Sequence, residues 1–284
     1  GRFFSIFAIV GIGVAFFAGV RDSVPVMKNT ADTYFDDYNF MDLKIMSTIG
    51  MTKEDVSAIK AVDGVAGVYG SYSMDVLNTH NNQQRVYKLL SYPMHAKASD
   101  KNYINQMRLI KGRLPQHEDE CVIEYTNIKG TDSRIGETIS FTSGTDEKLS
   151  KSLKRTTYKI VGEVTMPYYL SYEKGSSSIG SGSIDNYAVI PDTNFKSSYF
   201  TEVYVTIDNA KKPNSYADAY FDIIDPKKTA ITSLGEERAQ ARFDDIRKEA
   251  LAKVEAGRKE YEKNKTKYET EIKNAKQKDR KSVV

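Results

Sequence analysis

The strongest pattern in the chain is at its start. From Phe3 to Val20 there are 18 consecutive residues without a charged side chain, FFSIFAIVGIGVAFFAGV, bracketed by Arg2 and Arg21. As a helix this run spans ~27 Å, close to the ~30 Å hydrocarbon core of a bilayer. Long basic side chains at both ends can reach the two interfaces. Gly11, Ala15 and Gly19 recur four residues apart, a stripe of small residues that lets membrane helices approach closely. The pattern therefore predicts a transmembrane helix over residues 1–22 with a helix-packing face at Gly11, Ala15 and Gly19. Two other readings compete. A secretory signal peptide shares the basic start and small residues near Ala15–Gly19, and a buried soluble helix is rarely uncharged for so long. Either membrane reading places the chain from about residue 22 onward outside the cytoplasm.

The body that follows alternates between strand and helix patterns. Residues Lys28 to Tyr38 mix polar and aromatic positions without a clear period, and Phe40–Thr48 alternates partly, as a strand does. Over Thr52–Asp63 the pair Thr52 and Asp55 has capping-box spacing. Val56, Ile59 and Val62 make an apolar stripe, and Gly64 suits the stop. Strands are predicted at Val65–Leu77 and Arg85–Tyr92, joined by the turn-rich NTHNNQ, so that a strand–helix–strand–strand unit opens the body. A short helix is expected over Tyr103–Lys111, ended by Gly112 and Pro115. Strand patterns then dominate from Glu120 to Pro191, with ECVIEY, ETISFTS, TTYKIVGEVTM and DNYAVIP, and return at Tyr199–Ile207. The composition of GSSSIGSGS, Gly175–Ser183, predicts a mobile loop. After Pro213, the spacing of Tyr216, Tyr220 and Ile224 predicts a helix over Ser215–Ile224.

Beyond Gly235 the character changes. Residues Glu236–Lys281 hold 15 basic and 11 acidic side chains, with no proline and only Gly257 as a helix breaker. Val254, Tyr261, Tyr268 and Ala275 recur every seven residues and Ile272 adds a second apolar position, the period of a helix lying against a partner helix. Arg258 and Lys265 stand where leucine is expected. The pattern fits one arm of an antiparallel helical hairpin better than a long parallel dimer. A solvated single helix held by opposite-charge pairs is the competing reading.

Composition narrows the function classes. The 284 residues carry 41 Lys and Arg against 38 Asp and Glu, 40% hydrophobic residues, one Cys and no Trp. That length supports a large core, and the hydrophobic content excludes disorder as the main state. One cysteine excludes an internal disulfide. A net charge of +3, concentrated in the C-terminal stretch, gives no ground for a nucleic-acid partner.

Catalytic signals are absent from the sequence. There is no phosphate-binding loop of the G-x-x-x-x-G-K-[ST] type, and Gly11-Ile12-Gly13 lacks the third glycine of a dinucleotide fingerprint. His80, His95 and His117 are scattered without ligand spacing, so no metal site is predicted. Cys121 lies in an alternating apolar strand and reads as a small buried hydrophobe. The pairs Asp36-Asp37 and Asp244-Asp245 point in different directions on any regular element. Tyr168, Tyr169 and Tyr172 form an aromatic cluster that serves either a hydrophobic ligand or packing. No catalytic or cofactor-binding residues are assigned.

The order of segments resembles a known family. DLKIMSTIGMTKEDVSAIKAVDGVAGV follows the apolar helix, then IKGRLPQHEDECVIE, RIGETISFTS and YKIVGEVTMPYYLS. Together these resemble the MacB-like core domain of ABC transporter permeases of the FtsX, LolC and MacB superfamily. SLGEERAQARFDDIRKEALAKVEAGRKEYE resembles the start of the coiled-coil insertion of the large Gram-positive-type permeases. The resemblance implies an α+β fold, with a transmembrane helix (1–22) leading into an extracytoplasmic core (23–235). That core is an α/β lobe into which a β-rich lobe is inserted at about 112–195. The start of a coiled coil (236–284) follows. It also implies a non-catalytic, multi-pass permease subunit in the cell membrane. Its partners would be a cytoplasmic ABC-type ATPase subunit, membrane lipid and a second permease copy, with no cofactor. Both ends of the sequence read as cut from a longer polypeptide. A singly anchored receptor or adhesin with a coiled-coil stalk is the alternative from another class, and an extracytoplasmic hydrolase with an unrecognised acidic site is a third.

Overall fold

A computed structural model of the protein describes residues 1–126, 133–171 and 173–282. The fold is α+β: a long apolar N-terminal helix, a core of two sheets, and a long C-terminal helix. The chain divides into two compact units, residues 1–231 and 232–284, and the boundary falls inside the last helix.

Helix α1 (Arg2–Asp37) runs for 36 residues and is long and apolar enough to cross a membrane by length and composition. It continues past the apolar run, through Pro25 and through the segment whose sequence shows no period. The reason lies in what its last turns face. Ala31, Asp32, Tyr34, Phe35 and Asp36 turn toward the body while Thr33 and Asp37 stay exposed. Because this half-buried face holds aspartates beside aromatics, a hydropathy period cannot reveal it. Tyr38 caps the end, and Asn39 follows at φ +47, a left-handed conformation that asparagine tolerates and that breaks the helix.

Strand β1 (Leu43–Met51) then leads to α2 (Lys53–Lys60), whose predicted capping box is present. The Asp55 N–H donates to the Thr52 hydroxyl at 3.2 Å, and the Thr52 N–H to the Asp55 carboxylate at 2.8 Å. The apolar run Val65–Leu77 is two strands, β2 (Val65–Ser71) and β3 (Ser73–His80), which break at Tyr72 and enter different sheets. Strand β2 and β1 flank β10 (Phe200–Ile207) in a three-stranded antiparallel sheet, order β1-β10-β2. The last six residues of central β10 are all buried.

Strand β3 instead opens the larger sheet, which draws its strands from residues 73 to 191. It pairs with β4 (Gln83–Tyr92), and the order continues through β9 (Asn186–Pro191), β6 (Glu120–Glu124) and β8 (Thr157–Thr165). Both β5 (Arg108–Gly112) and β7 (Thr138–Ser140) pair with β8 along successive stretches. Its central strands are buried on both faces. Along β6, Cys121 and Ile123 enter one apolar cluster with Leu89, Ile160 and Phe141, while Val122 enters the other with Tyr187, Val164 and Met166. Such strands read as unbroken apolar runs because neither face is solvated.

Two expectations fail for identifiable reasons. Tyr103–Lys111 is not a helix: the Asn105 and Gln106 N–H groups donate to the Asn39 and Tyr38 carbonyls at 2.9 and 2.8 Å, and β5 begins at Arg108. Asn105 stands at φ +59, a left-handed conformation that a right-handed helix cannot contain, and its N–H is held by the α1 terminus. The Gly175–Ser183 loop is tied down. Ile179 is buried against Leu77 and Val86, the Ser177 hydroxyl donates to Asp75 at 2.6 Å, and Ser176 bridges Ser183.

Leu89 is fully buried in the larger sheet, and Leu170 is 57% exposed. Leu89→Ala is expected to destabilise the protein by about 2–5 kcal/mol and Leu170→Ala by less than about 0.5 kcal/mol in denaturant unfolding. Thr52→Ala removes the α2 cap and should cost ~1 kcal/mol in the same measurement.

Candidate functional site: the joint between helices and sheet

The exit of α1, the entry of β1, the end of β10 and the start of α3 (Asp218–Ser282) meet at one place, all within the first unit. Its centre is Asp42. One carboxylate oxygen accepts the Ile207 N–H at 2.7 Å, the other accepts the Tyr220 hydroxyl at 2.8 Å, and the Asp42 N–H donates to the Val205 carbonyl at 2.9 Å. A single residue, at the entry to the first strand, therefore fastens the last strand and the first turn of α3.

Asp32, on α1, holds the connection between β10 and α3. It accepts the Ser215 N–H at 2.7 Å and the Asn214 side-chain amide at 3.1 Å, an amide that also reaches Asn29 at 3.1 Å. The Lys211 ammonium donates to the Asp36 carbonyl at 2.8 Å, and Lys28 lies over the Tyr216 ring at 5.5 Å. Further along α3, Lys227 pairs with Asp63 at 3.0 Å, crossing Gly64. A Cβ at Gly64 would stand 2.7 Å from the Lys227 side chain, and its φ of +80 suits glycine alone.

These groups surround a cleft of about 220 Å3 lined by Phe35, Asp36, Phe40, Asp42, Lys211 and Tyr220. Burial raises the Asp42 carboxyl above the usual aspartate value, against the lowering effect of the Ile207 N–H and the Tyr220 hydroxyl. Burial, and then the nearby Asp32 charge, raise Asp36. Burial and the Asp42 charge push the Tyr220 hydroxyl up. The joint is thus an acidic, partly desolvated cluster, with Lys211 as the cation acting on both Asp36 and Asp42.

A second polar node ties the two sheets. Glu202, buried on β10, pairs with Lys44 of β1 at 2.8 Å and accepts the Ser73 hydroxyl at 3.0 Å. Lys44 in turn lies over Tyr168 at 5.1 Å. Tyr168 meets Tyr169 edge-on, and Tyr169 stacks on Tyr187 at 4.9 Å, so these tyrosines serve packing between elements. Tyr172 lies outside the described residues.

Gly11, Ala15 and Gly19 all lie on the exposed apolar part of α1, and a Cβ at either glycine would meet nothing within 4 Å. The Cys121 thiol is fully buried, and burial raises its pKa. His80, His95 and His117 are not brought together: among the described residues no three His, Cys, Asp or Glu side chains group as metal ligands. Asp244 accepts from Gln240 one turn away on α3. The joint residues Asp32 and Asp36 were legible only as an i, i+4 pair, which marks a shared face once the helix is known to extend so far. Asp42 carries no local signal.

No family model matches the sequence, and no curated protein matches it. Among solved structures the chain is similar to the extracellular domain of the noncanonic ABC-type transporter YknZ from Gram-positive bacteria. That match has a TM-score of 0.36 and 14% identity, and covers 58% of this chain and 78% of the other. It is also similar to the periplasmic region of MacB from Actinobacillus actinomycetemcomitans, with a TM-score of 0.34 and 13% identity, covering 66% of this chain and 76% of the other.

The signs of the pKa shifts set a pH test. Asp36 is raised, so its ionised form opposes folding at neutral pH, and that opposition fades as pH falls toward the ordinary aspartate range of about 4. Relative to Asp36→Asn, the native protein should gain stability between pH 7 and about 4 in urea unfolding. Glu120 behaves oppositely. Hydrogen bonding from Arg113 holds it down to about 2, so its contribution is present above the usual glutamate value and is lost as pH falls toward 2. The difference between native protein and Glu120→Gln should therefore shrink on acidification.

Proposed function

We propose that the chain is part of the membrane subunit of an ABC-type transporter, with α1 in the membrane and the residues from about 22 onward outside it. The observation that carries this reading is the continuity of α1. One unbroken helix leads from an exposed apolar span to Asp32 and Asp36, which hold the root of α3. A displacement of α1 along or about its axis acts on the joint directly, since no loop lies between to absorb it. The segment order in the sequence, which resembles the MacB-like permeases, supports the same reading.

In this reading the chain contributes no catalytic residue and binds no cofactor, and ATP is hydrolysed by a separate cytoplasmic ABC-type ATPase subunit. The body and the α3 arm convert membrane-helix movement into movement outside the membrane, for export or for mechanical control of a partner. Gly11, Ala15 and Gly19 receive other membrane helices, lipid contacts the rest of the apolar surface, and a second permease copy completes the assembly.

Purification of the full chain from membranes in mild detergent tests this. We expect a phosphate-binding-loop ATPase to co-purify, and replacing Gly11, Ala15 and Gly19 together by Leu to reduce its recovery at least tenfold. A chain recovered without any ATPase would overturn the reading in favour of a singly anchored receptor. Unchanged recovery in the triple variant would show that the small-residue stripe is incidental.

A further inference from the structure

The second unit is helical from Thr232 through Ser282 and carries a regular seam. Leu251, Val254, Tyr261, Tyr268 and Ile272 each stand more than half exposed on it. With Arg258, Lys265 and Ala275, they follow one another in alternating steps of three and four residues. This is the stripe that faces a partner in a two-helix coil.

We propose that this seam binds the same seam of a second copy of the chain, with the two helices antiparallel and centred beside Lys263. The alternation of three- and four-residue steps from Leu251 to Ala275 reads the same in both directions, so reversing one helix brings every seam position opposite another. Leu251 then faces the partner's Ala275, and Val254 faces the partner's Ile272. Arg258 faces the partner's Tyr268, and Lys265 faces the partner's Tyr261. Each aliphatic side chain meets an aliphatic one, and each cation meets an aromatic ring, an arrangement favourable through the ring quadrupole. Glu262 and Glu269 directly follow the two tyrosines, so each incoming cation also has a carboxylate beside its ring.

The parallel alternative lacks this complementarity. In register it stacks Arg258 on Arg258 and Lys265 on Lys265 within the seam, like charges at close range. The charged seam positions, which weaken a parallel coil, are therefore what select the antiparallel one, as a single polar seam residue selects register elsewhere. This inference stands apart from the transporter reading and survives its failure.

Directional cross-linking tests it. The native Cys121 is fully buried and stays silent. Full-length V254C and I272C chains, carrying different tags, are mixed in mild detergent and oxidised. A disulfide-linked dimer containing both tags, at least tenfold above either variant alone, is expected. Linked V254C homodimers would overturn the antiparallel register, and absence of any linked dimer would overturn pairing between copies in favour of a returning helix of the same chain. Charge reversal supplies the second measurement. R258E/K265E chains and E262K/E269K chains should each lose self-association at least tenfold by analytical ultracentrifugation, with helicity retained by circular dichroism, and should recover it when mixed. Failure to recover on mixing would show that the cations do not meet the partner's glutamates.

Discussion

The fold depends on one carboxylate accepting from two distant donors. Asp42 sits between the end of α1 and the start of β1, and its two oxygens are taken by the Ile207 N–H and the Tyr220 hydroxyl. The residues joined are about 165 and 178 positions apart in sequence, so this contact closes the whole body between its first and last strands. Leaving either donor buried and unpartnered costs about 1–3 kcal/mol. The chain accepts a raised carboxyl pKa at this position as the consequence of that arrangement.

Around it the joint is built from charges that oppose one another. Asp32, Asp36 and Asp42 converge where α1 meets the α3 root, and Lys211 lowers the carboxyl pKa of both Asp36 and Asp42. Backbone N–H groups of Ser215 and Ile207 supply the remaining compensation. Such a joint is specific in geometry and modest in energy, because burial of each carboxylate offsets much of what its hydrogen bonds contribute. The Lys44–Glu202 node does the same between the sheets, where Ser73 and Tyr168 come from the larger one or its flanks.

The elements that were legible are those whose signal is local. Thr52 and Asp55 announce the α2 start because a capping box needs only four residues, and the apolar runs of β6 and β9 announce strands buried on both faces. What was illegible depended on distant partners. Tyr103–Lys111 has a helical look, yet Asn105 is held at φ +59 with its N–H on the Asn39 carbonyl, which interrupts any helix there. Gly175–Ser183 is flexible by composition, yet Ile179 finds Leu77 and Val86. The apolar run at Val65–Leu77 gives no sign that Tyr72 divides it between two sheets.

From the sequence alone come the apolar span, the capped helix, the strand patterns and the heptad seam, because each is a periodicity that neighbouring residues impose on one another. Tertiary structure alone decided that α1 continues to Asp37, that β10 returns between β1 and β2, and that Asp32, Asp36 and Asp42 share one cleft. Those outcomes depend on donors and acceptors meeting across the fold, and such pairings leave no period in the chain.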